Sequence, residues 1–146
     1  MITVVKVDRR AKNFTLYIGR AWAGLPASKW ANPFRINTCE NGTACEACRD
    51  VCLARYEMYV RSRPDLMSSL HELDDQVLGC WCHTTPSTGE ELYCHGDMLI
   101  QLRNEQLADV LRLKQLTDEA IHPTTPSPGH AAGCVCHRCR IARENQ

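Results

Sequence analysis

The chain has 146 residues, 17 Lys+Arg against 17 Asp+Glu, 44% hydrophobic residues and 10 cysteines. One core suits that size, no apolar run approaches the ~18 residues of a membrane span, and Met1-Ile2-Thr3-Val4-Val5 lacks the apolar stretch of a secretory signal; a soluble cytoplasmic protein with no membrane partner is expected. The zero total conceals a net +6 over residues 1–35 and −8 over residues 36–119, which argues against a generic polyanion binder and leaves room for an anionic ligand.

Ile2 to Val7 and Phe14 to Ile18 read as two short strands, a hairpin or neighbours in one sheet. Ala21 to Asn37, dense in Gly, Pro, Ser, Asn and Trp, shows neither helical nor strand period, and long irregular loops inside compact domains are often functional. Thr43-Ala44-Cys45-Glu46 has the form of a capping box and predicts a helix start. Cys45, Cys48, Cys52, Tyr56 and Tyr59 then recur at helical spacing until Pro64 ends the segment and opens a second helix carrying Leu66, Leu70 and Leu73. Gln76 to Cys82 is apolar almost throughout, which fits a buried central strand. After a loop with Pro86 and Gly89 comes Cys94-His95-Gly96-Asp97, followed by a helical pattern from Met98 to about Glu119. His122 to Gly133 holds three prolines and two glycines and reads as a linker to a cysteine-rich end. The expected organisation is a single α/β domain over 1–120, a linker over 121–133 and a tail over 134–146.

The cysteines fall into three groups: Cys39, Cys45, Cys48 and Cys52; Cys80, Cys82 and Cys94; Cys134, Cys136 and Cys139. Ten thiols in a reducing compartment point to metal ligation, reactive thiols or burial in preference to disulfides. Two Cys-x-x-Cys steps, Cys45 to Cys48 and Cys136 to Cys139, can together supply four thiolates to one tetrahedral zinc. Local sites compete with that clip: the first group alone, or the third with His130 or His137. Cys48 and Cys52 also share a helical stripe with Tyr56 and could be small core residues. An iron–sulfur cluster ranks below zinc because no spacing matches the ferredoxin runs.

The middle group differs in kind. On a regular strand Cys80 and Cys82 point to one face about 6.5–7 Å apart, wide for two ligands of one ion unless the strand breaks. A second zinc at Cys80, Cys82 and Cys94 is nevertheless a candidate, with adjacent His95 the awkward member. Cys82 also stands at the end of a central strand, where α/β folds place ligands, and Cys94, His95 and Asp97 stand at a helix N-terminus that favours thiolates and anions.

Tyr17-x-Gly19-Arg20, Ser28-Lys29-Trp30-Ala31-Asn32-Pro33-Phe34, Leu78-x-Cys80-Trp81-Cys82 and Cys94-His95-Gly96-Asp97-x-Leu99, in that order over residues 14–102, resemble an uncharacterised bacterial and phage family classed as a domain of unknown function. Members usually carry glycine where this chain has Ala31. The resemblance implies a compact α/β domain in the cytoplasm of a bacterial or phage-infected cell, and no established reaction.

The fold expected is a small Rossmann-like three-layer α/β domain with a cysteine-rich C-terminal tail. If the two motif-bearing loops meet at one sheet edge, Arg20, Ser28, Lys29 and Asn32 supply donors for an anion, with Tyr17, Trp30 and Trp81 lining a pocket for a nucleotide or nucleoside. Cys82, His95 and Asp97 would then do nucleophilic or proton work. The chain has no Walker loop, no Gly-x-Gly-x-x-Gly and no zinc-deaminase signature. The competing reading is a non-catalytic zinc-stabilised module that binds nucleic acid or protein through the basic N-terminal segment and the arginines of the tail.

Overall fold

The computed structural model describes residues 1–8, 10, 13–22, 24–36, 45–82, 88–89 and 92–121. Cys39, Thr43, residues 122–133 of the expected linker and Cys134, Cys136 and Cys139 lie outside the described residues. The chain divides into two units, Met1–Leu107 and Ala108–Gln146.

The first unit is a small mixed α/β domain. Its elements are β1 (Thr3–Lys6), β2 (Leu16–Tyr17), α1 (Glu46–Arg61), α2 (Pro64–Ser69), a 3-10 turn over Leu70–Leu73, β3 (Val77–Cys80) and α3 (His95–Ile121), which continues into the second unit. The three strands form one parallel sheet in the order β1-β3-β2. β1 and β2 are therefore neither a hairpin nor neighbours. β3 lies between them, as its uninterrupted apolar run requires: Leu78, Gly79 and Cys80 are all buried. The return from β2 to β3 runs through α1 and α2, the long crossover that adjacent parallel strands need.

Two glycines set how closely layers approach. A Cβ on Gly79 would stand 2.7 Å from the Phe14 ring, so the centre of β3 carries no side chain where that ring lies. A Cβ on Gly96 would stand 2.9 Å from Ile18 Cδ1 and Val4 Cγ2, so the first turn of α3 packs directly on the sheet.

The core runs from Ile2 to Leu102 and joins Val4, Ile18 and Leu78 of the sheet region to Tyr56 and Val60 of α1, Leu66, Leu70 and Leu73, and Met98, Leu99 and Leu102 of α3. Helix α1 begins at Glu46 with Cys45 as its N-cap, whose side chain makes no capping hydrogen bond. Pro64 occupies the first turn of α2, where a missing amide costs nothing. In the second unit the described residues continue α3, with Val110, Leu111, Leu113 and Leu116 exposed. Among the described residues no helix is long and apolar enough to cross a membrane.

Candidate metal centre and ligand pocket

Because the strands are parallel, the chain leaves β2 and β3 at the same edge of the sheet, and the start of α3 packs there. β3 ends at Cys80, and Trp81-Cys82 is a bend. That break removes the strand spacing that would hold Cys80 and Cys82 too far apart. Across from it, Cys94 is the residue before α3, and Cys94 with His95 completes a group of four whose ligand atoms all lie within 4.8 Å of one another.

His95 belongs to this group despite the expectation that adjacency to Cys94 makes it the awkward member. The chain turns from loop into helix between the two residues, so both side chains reach the same point. The imidazole is held by Ile18, whose carbonyl oxygen lies 2.9 Å from Nε2. A carbonyl only accepts, so Nε2 carries a proton, and Nδ1 faces Cys80 Sγ at 3.8 Å. This is the outer hydrogen bond that fixes the tautomer of a metal-ligating histidine. Zinc bonded to sulfur at 2.3 Å and nitrogen at about 2.0 Å separates its tetrahedral ligands by about 3.5–3.8 Å. The donor set, three thiols and an imidazole, and its spacing fit such an ion: the group could hold a metal.

Asp97 is fully buried, and its Oδ2 accepts hydrogen bonds from the amides of Tyr93 at 3.0 Å and Cys94 at 2.8 Å. Cys94 Sγ in turn accepts from the Gly96 amide at 3.2 Å. The two side chains form a capping box with sulfur in place of a hydroxyl, and it fixes the ligand-bearing turn. Asp97 thus stands behind Cys94, aimed at backbone amides.

Charge within the group is unevenly placed. Hydrogen bonds from the Cys80 and Cys94 thiols pull Cys82 well below the ordinary thiol range, whereas hydrogen bonds with Cys80 and Cys82, together with burial, push Cys94 up. Burial alone would lower His95, but hydrogen bonds to the Cys80 and Cys82 sulfurs outweigh it and raise the imidazole to about 10. Cys82 is also the exposed member of the group, and the other three are buried.

The group forms part of the wall of a cavity of about 640 Å³. The stretch after β2 contributes Gly19 to Trp22, the following loop Asn32 and Phe34 to Ile36, α1 Arg49, Cys52 and Leu53, and the β3 and α3 ends Cys80 to Cys82 and Tyr93 to His95. Arg20 and Asn32 thus line it, as does Trp81. Arg20 also braces the loop, its Nε donating to the Asn32 carbonyl at 2.8 Å and its Nη2 to the Phe34 carbonyl.

The other expected ligand-binding residues support this wall from outside the cavity lining. Trp30 is 1% exposed in the core, and its carbonyl accepts from Tyr56 OH at 2.7 Å. Ser28 Oγ accepts from the Trp30 amide, and Lys29 pairs with Glu72 at 2.7 Å. Tyr17 OH donates to the Arg20 carbonyl and accepts from Trp81 Nε1 at 2.9 Å.

Four further residues line the cavity: Trp22 and Arg35, which stand in the irregular loop of residues 21–37 that the sequence marks as functional, and Arg49 and Tyr93, which no motif marks. Arg49 lies over the Tyr93 ring at 4.3 Å, and Trp22 meets Trp81 edge-on at 6.2 Å. The helical period of α1 marks the inward face carrying Cys52 and Tyr56, and no sequence spacing signals that its neighbour Arg49 borders a cavity. Of the expected zinc clip, Cys45 and Cys48 bring their sulfurs to 3.3 Å, and Cys136 and Cys139 lie outside the described residues.

Residues 4–105, which include all of β1 but its first residue, the loop, the metal-competent group and the first turns of α3, match the family described as domain of unknown function DUF4326. The chain belongs to that family. This DUF4326 protein is 39% identical over 99 residues to an uncharacterized protein, R718, of Acanthamoeba polyphaga mimivirus, an alignment covering 62% of this chain and 68% of that one. No solved structure matches the DUF4326 chain.

Proposed function

We propose that the protein is a zinc-stabilised α/β domain that binds, and as an enzyme would act on, a nucleotide-like anionic ligand in the cavity beside the metal-competent group. The observation that carries the reading is the cavity's lining. Arg20, Arg35 and Arg49 border it with Trp22, Trp81, Phe34 and Tyr93, and none of the ion pairs among the described residues takes in any of the three arginines. Arg61, Arg63 and Arg103, by contrast, are each held by a carboxylate. Guanidinium groups without a carboxylate partner, beside aromatic faces, suit phosphate together with a planar base. The site's place where the chain leaves parallel strands supports a Rossmann-like reading of the domain, in which ligands sit outside the carboxyl ends of the strands. Zinc is favoured over other ions by three thiolates and an imidazole.

Native mass spectrometry with elemental analysis of anaerobically purified protein tests the metal: one zinc per chain is expected, and none would refute it. Isothermal titration and thermal shift with a panel of nucleotides, nucleosides and sugar phosphates test the ligand. Stabilisation by a nucleotide, weakened about tenfold or more in Arg49→Ala with an unchanged melting temperature of the ligand-free protein, is the expected result. Salt-sensitive retention of DNA or RNA in mobility gels, with no response to any small molecule, would instead favour a nucleic-acid module.

A further inference from the structure

We infer that Cys82 is the releasable member of the metal set. Cys80, Cys94 and His95 hold the ion from within the fold, and Cys82 yields its place on the cavity side to an anionic oxygen of the bound ligand. The inference rests on the metal reading above and adds to it which position exchanges and with what.

The four donors are not equivalent. Cys80, Cys94 and His95 are 1%, 2% and 8% exposed, and each is fixed by a contact that does not involve the ion. Cys80 closes β3, opposite Lys6 of β1, and its carbonyl accepts from the Val7 amide at 2.8 Å. Cys94 takes the Gly96 amide on its sulfur, and Asp97 takes the Cys94 amide. His95 is tied through Nε2 to Ile18. All four line the cavity, but among the described residues Cys82 has contacts only within the group and no such anchor outside it: it follows β3 on a bend and is the one exposed member. Three fixed protein ligands with a fourth position toward a cavity is the arrangement of reactive zinc centres, whereas structural sites hold all four ligands alike.

The same cavity wall says what arrives. Arg20, Arg35 and Arg49 draw an anion, and phosphate oxygens are acceptable donors to zinc. In the exchange the bond from the metal to Cys82 Sγ breaks and a bond to a phosphate oxygen forms. Cys82 leaves as a thiolate with its own electron pair, the phosphate oxygen donates a pair in its place, and no proton or electron needs to change hands.

Cobalt(II) loaded into the intact chain reports both parts, through metal content and through visible absorption bands that follow coordination. Cys82→Ala is expected to keep one cobalt per chain, with one fewer sulfur in its charge-transfer band, whereas Cys94→Ala loses the metal. Inorganic phosphate, the probe, is expected to shift the visible bands of the wild-type protein and of Cys82→Ala in a saturable way. A Cys82→Ala protein without metal, folded or not, overturns the inference while wild type keeps its metal and the metal reading stands. Bands unmoved by saturating phosphate overturn the exchange. A wild-type protein with no metal overturns the metal reading itself, and this inference with it.

Discussion

Asp97 and Gly96 show how single residues at the start of α3 serve the site through the backbone they hold and the packing they allow. Asp97→Ala leaves the amides of Tyr93 and Cys94 without the acceptor they have in the fold, at about 1–3 kcal/mol for each buried donor left unsatisfied. Asp97→Asn keeps one acceptor oxygen of the same shape and should lose less than half as much. Urea denaturation of the two variants checks the order. Gly96→Ala should cost about 1–3 kcal/mol by overpacking, because its Cβ would press on Ile18 and Val4. Since Ile18 also orients His95, the same variant should bind metal less tightly, measurable by competition with a chromophoric chelator.

Among the elements, α3 is tied to the turn before β3 by a forked ion pair, Arg103 Nε to Asp74 Oδ1 at 2.9 Å and Nη2 to Oδ2 at 2.5 Å. The hydrogen bond from Arg103 holds the Asp74 carboxyl below its ordinary range. A depressed carboxyl contributes stability that is present above its unfolded value, near pH 4, and is lost as pH falls through the lower folded value. Asp74→Asn should therefore lower the melting temperature at pH 6 and approach wild type near pH 2. The side chains are 12% and 42% exposed, so solvent screening limits the effect to about 0.5–1 kcal/mol. Much at this scale was legible in the sequence. Apolar continuity marked β3 as central, Pro64 marked the junction of α1 and α2, and Cys94 to Asp97 marked a helix start. Two things were not legible. The pairing of β1 and β2 depends on which strand inserts between them, a long-range choice that their own few residues do not encode. The membership of His95 depends on a bend after Cys80 and on a carbonyl supplied by Ile18, and neither leaves a trace in local spacing.

For the whole molecule, the core lies between Ile2 and Leu102 and the first unit ends at Leu107. A chain shortened to residues 1–107 should therefore unfold cooperatively within a few degrees of the full chain and keep one metal per chain, as calorimetry and native mass spectrometry would show. A metal equivalent that disappears on shortening would identify the clip through Cys45, Cys48, Cys136 and Cys139. The sheet order has a consequence for how the protein comes into being. Thr3 pairs with Val77 and Leu16 with Leu78, and β1 and β2 have no bond to each other. During synthesis no part of the sheet can form until β3 has left the ribosome, and closing such large loops slows folding. The two N-terminal strands must wait, with their edges open to other chains, for a segment that brings with it the first two thiols of the metal-competent group.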